Sequence, residues 1–341
     1  MSKYRKITDN ISVNEDSLPK FKNLGCAIFD CDGTLVNIND SYNACIKKTV
    51  GFMLERLLGG KQWYDLVSGE LILKFRLSGG FNNDTDTSYA SILAALASEK
   101  KDVDAAREFA LNIAAHASEH GIRSVEEYLA KSGHGDAVKK AKEELRYPGL
   151  VGSSILNTVF DEFFYGKDLF VKLHDIQPKF NNSKGFIDDD EVVISYESAN
   201  ELSKMFNGKI AIVSGRGRLA TEYSLKKILH HFNIDASVFL EDEEKEVIAS
   251  NLDIRVSKPE PYALLKAMKA LNAKSAISVG DSAEDIIMSR KVGEKHSVVF
   301  CGVYGTGIDR NAQFKMFVDR GADAIIENVN LLPTLLKPIM K

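Results

Sequence analysis

The 341-residue sequence predicts an α/β protein: a doubly wound parallel-sheet core with a large inserted helical domain. Three observations carry that expectation. From about residue 188 onward, short apolar runs alternate with helical patterns, the signature of a parallel sheet covered on both faces. One buried strand, "CAIFD" at 26–30, stands far upstream of that block. Between the two, residues 37–186 read as helix almost throughout, so they interrupt the α/β domain. The boundaries expected are a discontinuous core of 1–36 and 187–341, with 1–20 a polar leader, and a helical cap of 37–186.

The elements follow in order. "MSKYRKITDNISVNEDSLPK" is polar and lacks the apolar stretch of a secretory signal. "LGCAIFD" is a short apolar strand ended by the turn-forming Asp32-Gly33. In the cap, "DTSYASILAALASEKK" starts behind Asp84 and Thr85, either able to cap it. "VDAAREFALNIAAHASEHG" ends at Gly121, a helix stop, and "SVEEYLAKSG" has Ser124 and Glu127 at capping-box spacing. "GDAVKKAKEELRYPG" and "GSSILNTVFDEFFYG" complete the cap helices. Beyond the polar "QPKFNNSKGFIDDDE", "KIAIVSG", "SVFLED", "SAISVGD", "HSVVFCGVYG" and "ADAIIENV" read as strands. "ESANELSKMF", "LATEYSLKKILHHF", "PYALLKAMKAL" and "AEDIIMSRKV" read as the helices among them. The acidic "EDEEKE" at 241–246 is most simply a solvated loop or helix face.

Composition narrows the function. The chain is 44% hydrophobic and 27% charged with a net charge of −4, and its lysines and arginines form no basic stripe, which argues against nucleic acid as a partner. No apolar run approaches the ~20 residues of a membrane span. Cys26, Cys31, Cys45 and Cys301 have no metal-ligand spacing and are expected as free thiols in a reducing cytoplasm.

In an open parallel sheet, the site lies at the carboxyl ends of the strands. The first strand ends in Asp30 and Asp32, and the second offers Ser214 and the backbone amides near Gly215. The loop "VSKPEP" offers Lys258, and "AISVGDSAED" offers Asp281 and Asp285. Each piece alone has an ordinary structural reading: a turn, a loop, a surface lysine or a helix cap. Together they supply the parts of phosphoryl transfer. Carboxylates suit Mg²⁺ and can attack phosphorus, a second acid can move the proton, and an ammonium and a hydroxyl hold the transferring group.

The set "DCDGTL", "VSG", "SKPEP" and "GDSAED" resembles the four motifs of the haloacid dehalogenase-like (HAD) hydrolase superfamily, in order. The helical insertion after the first motif resembles the cap of its phosphoglycolate-phosphatase-like branch. The resemblance implies a Rossmann-like core, Asp30 as nucleophile, and Asp32 as general acid/base with its backbone carbonyl on the metal. It makes Ser214 and Lys258 the phosphoryl-binding pair and Asp281 a Mg²⁺ ligand, with Asp285 supporting the metal or its waters. Phosphatases and phosphomutases of the superfamily have an acid at the position of Asp32, and the dehalogenases lack it.

Two features depart from the family. The cap, at about 150 residues, is on the scale of a whole domain. "VNINDSYNACI" also lacks the acid that commonly follows Leu-Val. Within the cap, "FRLSGGFNNDTDTSYA" sets Asn82, Asn83 and Asp84 behind a Gly-Gly turn. These residues are either helix-capping groups or a loop that reads the substrate's non-phosphate end. Arg216, just after Ser214, is either a further anion contact or a solvated arginine. The sequence thus points to a cytoplasmic, Mg²⁺-dependent phosphatase of a small phosphorylated metabolite, phosphoglycolate or a similar phosphomonoester. A phosphomutase using the same residues is the alternative, and a non-catalytic phosphometabolite-binding protein is the third reading.

Overall fold

The computed structural model describes residues 4–81, 83–99, 102–250 and 256–340, and the chain divides into two units, 1–37 with 191–341, and 38–190. In the first unit the strands are β1 (Tyr4–Thr8), β2 (Ile11–Asn14), β3 (Cys26–Phe29), β4 (Val36–Asn37), β5 (Glu191–Val192), β6 (Ile210–Ser214), β7 (Val238–Phe239), β8 (Ser275–Gly280), β9 (Ser297–Val303) and β10 (Ala324–Ile326). Eight of the described strands form one sheet in the order β1-β2-β10-β9-β8-β3-β6-β7. From β10 to β7 all neighbours are parallel. All four residues of β3 are buried, because a strand covered on both faces needs a continuous apolar run. β3 lies between β6 and β8, with Phe29 level with Ile212 on one side and Val279 on the other. β4 and β5 form a separate ribbon where the chain leaves the sheet unit and returns to it.

The N-terminal stretch, expected as a polar leader, extends the sheet instead. β2 pairs antiparallel with β10 and β1 with β2, and Ile11 and Val13 are buried against the core. Two apolar residues in a polar context give too short an alternation to announce a strand, and the partner at 324–326 is remote in sequence.

The second unit holds the helices α1 (Tyr42–Leu58), α2 (Gly69–Ser78), α3 (Asp84–Ser98), α4 (Val103–Ala114), α5 (Ile122–Lys131), α6 (Gly135–Leu145) and α7 (Ile155–His174). α3 is its centre, contacting α1, α4, α5, α6 and α7 and burying most of its length. Its N-cap is Asn83, whose side chain accepts from Thr85 N at 2.9 Å, so the cap lies one residue before Asp84 and two before Thr85, the expected caps. α4 stops at Ala114 rather than Gly121, and Gly121 instead opens α5. Ser124 then lies inside α5 and accepts from Ser118 N at 3.1 Å, while Glu127 pairs with Arg123 at 2.8 Å, so the expected capping box does not form. α7 runs past Gly166, where φ is +67° and Gly185 N lies 2.3 Å from where a Cβ would be. Only glycine fits a left-handed backbone at so close an approach. The buried Glu162 carboxylate accepts the backbone N–H groups of Lys179 and Asn181 at 2.9 Å, pinning the chain as it leaves α7.

The interior of the helical unit carries a buried acid. Burial pushes the Asp86 carboxyl up to about 6; Tyr147 O–H, donating to it, opposes the shift, and Glu126 and Asp84 add to it. Lys142 pairs with Glu126 at 2.8 Å and Arg76 with Asp84 at 3.0 Å. A carboxyl raised on folding costs stability once pH climbs past its unfolded value, fully so above its folded one. Asp86→Asn is therefore expected to stabilise the protein at pH 8 by up to about 3 kcal/mol, at ~1.4 kcal/mol per unit. The gain should fade as pH drops from 6 toward 4. Thermal melts at both pH values check this, and a gain that persists unchanged at pH 4 contradicts it.

The remaining helices belong to the sheet unit: α8 (Tyr196–Met205), α9 (Arg218–Leu225), α10 (Leu240–Ala249), α11 (Tyr262–Ala270), α12 (Ala283–Gly293), α13 (Arg310–Asp319) and α14 (Leu332–Leu336). "LATEYSLKKILHHF" is not one helix: α9 ends at Leu225, and a 3₁₀ segment follows from Lys226, whose φ is +47°. "SVFLED" is strand only at Val238–Phe239, and the acidic run lies on α10. Two of those acids reach a neighbouring helix. Glu241 accepts from Gly217 N at 3.0 Å and Asp242 from Arg218 N at 2.8 Å, capping α9 from a neighbouring helix. The four cysteines are buried free thiols. Among the described residues no helix is long and apolar enough to cross a membrane.

Candidate active site

Three neighbouring parallel strands deliver the chemistry at their carboxyl ends. Asp30 follows β3, Ser214 ends β6, and Asp281 follows β8. Because β3 lies between the other two, residues remote in sequence arrive at one edge of the sheet. Asp30 N donates to Val279 O at 2.8 Å, fixing the chain as it leaves the strand. The turn after it is tight, with Leu35 N and Val36 N both bonded to Cys31 O.

Lys258 is the pivot. Its side chain is fully buried, and Nζ lies 2.7 Å from Asp30 Oδ1 and 2.6 Å from Asp285 Oδ1. Burial works against its charge, but Asp285 and Asp30 outweigh that and hold the ammonium well above the ordinary lysine range. Burial pushes Asp30 well above the usual carboxylate range, Lys258 opposes this, and Asp285, Asp281 and Asp32 reinforce it. Asp285 does double duty. Its Oδ2 accepts from Ser282 N and Oγ, and Ser282 Oγ accepts from Asp285 N, a capping box that opens α12. The helix cap and a place in the carboxylate cluster are thus compatible for Asp285.

Asp30, Asp281 and Asp285 each offer an oxygen, and these oxygens lie within 4.8 Å of one another. One ammonium against three carboxylates leaves net negative charge in a buried place, and an all-oxygen donor set suits a hard divalent cation such as Mg²⁺. The residues present fit such an ion.

Asp32 pairs with Arg216, whose Nη2 lies 2.7 Å from its Oδ1. Arg216 is 2% exposed, so it is no solvated arginine. Ser214 Oγ accepts from Arg216 N at 3.1 Å, across the bend containing Gly215. In the helical unit, Asn83 serves as the α3 cap and Asp84 as the partner of Arg76. Asn82 lies outside the described residues.

Two residues not anticipated from the sequence brace the site. The Thr306 hydroxyl donates to Gly33 O, and Gln313 Nε2 donates to Asp281 O and, at 3.3 Å, to Val303 O. Both grip backbone carbonyls, at Gly33 and at Asp281. Their only sequence signal is the glycine-rich "VYGTGID" after a strand.

Gly33 has φ +73°, and a Cβ there would sit 2.1 Å from Asp281 Oδ2. Gly33→Ala should therefore displace Asp281 or the Asp30 loop. With misplacement on the scale of 1 Å costing about 10²-fold, kcat/KM is expected to fall by that order while circular dichroism stays native. An alanine variant at wild-type rate would show that this approach is not required.

Comparisons with known proteins agree with the geometry. Pyrophosphatase PpaX of Halalkalibacterium halodurans is 34% identical over 121 residues, 34% of this chain and 51% of that protein. Pyrophosphatase PpaX of Bacillus cereus strain Q1 is 30% identical over 165 residues, 42% of this chain and 71% of that protein. The chain spans about half the length of the first of these curated relatives. Among solved structures, phosphatase Tt82 from Thermococcus thioreducens superposes with a TM-score of 0.53 at 21% identity, over 86% of this chain and 99% of that one. A structural-genomics target, ZR25, gives a TM-score of 0.59 at 14% identity, over 93% of this chain and 99% of that one. At such identities the likeness concerns the fold. The profile described as haloacid dehalogenase-like hydrolase matches residues 24–293, from β3 through α12, a span that includes Asp30, Asp32, Ser214, Lys258, Asp281 and Asp285. On that match, with its motifs converging at one sheet edge, the chain belongs to the haloacid dehalogenase-like hydrolase family.

Proposed function

We propose that this chain is a Mg²⁺-dependent phosphatase acting on a small phosphoester through an aspartyl-phosphate on Asp30. The observation that carries the proposal is the buried ammonium of Lys258, 2.7 Å from Asp30 and 2.6 Å from Asp285 beside Asp281. A buried lysine between two carboxylates leaves the nucleophile anchored and a cation poised where phosphoryl oxygens arrive.

In the first half-reaction an Asp30 oxygen bonds to phosphorus while the bond to the leaving oxygen breaks. Asp32 gives that oxygen its proton. In the second, water bonds to the same phosphorus and yields its proton to Asp32, and the Asp30–phosphorus bond breaks to release inorganic phosphate. Ser214 and the amides beside Gly215 hold the phosphoryl oxygens, and Lys258 offsets their charge. Bound by Asp30, Asp281 and Asp285 with the Asp32 backbone carbonyl, Mg²⁺ would neutralise charge on the transferring group.

Phosphoglycolate-like monoesters are the lead substrate class. The name of the PpaX relatives adds pyrophosphate, whose leaving group is itself a phosphate. A phosphate-release screen over small phosphoesters and pyrophosphate tests both. The expected result is stoichiometric inorganic phosphate, stopped by EDTA and restored by Mg²⁺. Ca²⁺ should restore it poorly, because its larger, looser oxygen shell misplaces the reacting groups. Full activity in excess chelator would remove the metal from the account, and isomerised product without free phosphate would indicate a phosphomutase.

A further inference from the structure

We propose that Arg216 is a positioning residue for the proton-transfer step, holding the Asp32 carboxylate toward the leaving group instead of binding the phosphoryl group itself. The inference rests on the reading of Asp32 as the acid and base. Arg216 follows the phosphoryl-binding Ser214 by two residues, where an anion-binding arginine would be unremarkable, but its surroundings point elsewhere. The residue is 2% exposed, and its side chain is fully buried. Nη1 donates to Ser224 Oγ at 2.7 Å, and that hydroxyl donates on to Ala220 O at 3.1 Å, so the fork is anchored in α9. Nη2 reaches Asp32 Oδ1 at 2.7 Å, and Asp32 is the more open of the pair, its side chain 22% exposed.

The physical argument concerns direction. Burying a guanidinium is costly unless a carboxylate meets it, so the pair is mutually required. A guanidinium anchored at one end by Ser224 is a fixed positive charge, and its 2.7 Å ion pair holds Asp32 Oδ1 in place. Lysine, a point charge on a flexible stem, would neutralise Asp32 without orienting it. A general acid must lie within hydrogen-bond reach of the oxygen it protonates, and modest misplacement is expensive in rate. The α9 contact thereby extends the active site to Ser224, a residue that touches no reacting atom.

Positioning predicts a pattern that neither a phosphate contact nor a purely structural tie would give. Proton transfer matters most for a poor leaving group, so Arg216→Gln should cost an alkyl phosphate at least about tenfold more in kcat than p-nitrophenyl phosphate, a share of the ~10²- to 10⁴-fold supplied by acid/base catalysis. Inhibition by inorganic phosphate should be unchanged. In an Asp32→Asn background, Arg216→Gln should cost less than about threefold further, because residues acting as a unit are non-additive. Arg216→Lys should recover only part of the loss, and Ser224→Ala, which loosens the fork without removing charge, should show the same leaving-group bias in weaker form. Those two variants keep the test readable if Arg216→Gln does not fold.

Equal loss on both substrates together with weaker phosphate inhibition would overturn the proposal in favour of a phosphoryl contact. Equal loss with a lowered melting temperature and full additivity with Asp32→Asn would overturn it in favour of a structural tie. Asp32→Asn alone separates this inference from the reading beneath it. If that variant shows the leaving-group bias and Arg216→Gln does not, only the role of Arg216 falls; if Asp32→Asn shows no bias, both fall.

Discussion

Asp30→Asn is expected to fold as the wild type and to hydrolyse phosphoesters at less than about a thousandth of its rate, since on the proposed mechanism it removes the covalent nucleophile, which has no substitute within the site. Asparagine matches the shape of aspartate and still accepts a hydrogen bond from Lys258, so packing at the end of β3 survives. The amide is a far poorer nucleophile toward phosphorus. It also removes one of the three carboxylates grouped with Asp281 and Asp285, so the affinity for Mg²⁺ should fall as well. Rates at saturating substrate and Mg²⁺ separate the two losses. A variant that regains a tenth of the wild-type rate at high Mg²⁺ would mean that Asp30 serves the metal and not the bond.

Lys258→Met should lower both activity and stability. Lys258 is buried between Asp30 and Asp285, and removing it leaves two buried carboxylates without their cation. Breaking a buried pair in this way costs on the order of 3–5 kcal/mol. Activity should fall by about 10³-fold or more, since the loss of one preorganised donor alone costs ~10²–10³-fold. The second substitution Asp285→Asn in the Lys258→Met background should recover part of the stability, by removing one stranded charge, and none of the activity. Recovery of both together would mean that Lys258 acts only by holding the fold.

Much of this site was legible in the sequence because its chemistry sits in side chains at strand ends. Asp30, Ser214 and Asp281 each follow a short apolar run, and a parallel sheet with β3 between β6 and β8 brings such ends to one edge. What was not legible depends on partners distant along the chain. Arg216 as a string of letters is equally a surface residue or a phosphate ligand, and its burial and its 2.7 Å approach to Asp32 decide against the solvated reading. Thr306 and Gln313 act on backbone carbonyls, which leave no side-chain pattern to find. The β1–β2 hairpin is recognisable only once β10 is in place to pair with it. Helix ends moved for a related reason. Asn83, Asp84 and Thr85 can all cap, and the choice among them is made by packing, with Asp84 committed to Arg76.

The most direct test of the account is to trap the covalent intermediate. Rapid mixing with a good phosphoester and Mg²⁺, acid quenching and peptide mass spectrometry should find one phosphoryl group on the 24–36 peptide, at Asp30. It should form in a burst no slower than turnover and be released by hydroxylamine as an acyl phosphate. It should accumulate further in Asp32→Asn, where water is activated poorly. Turnover with no phosphoryl group on Asp30 at any time, or with one carried on another residue at a competent rate, would contradict the central claim.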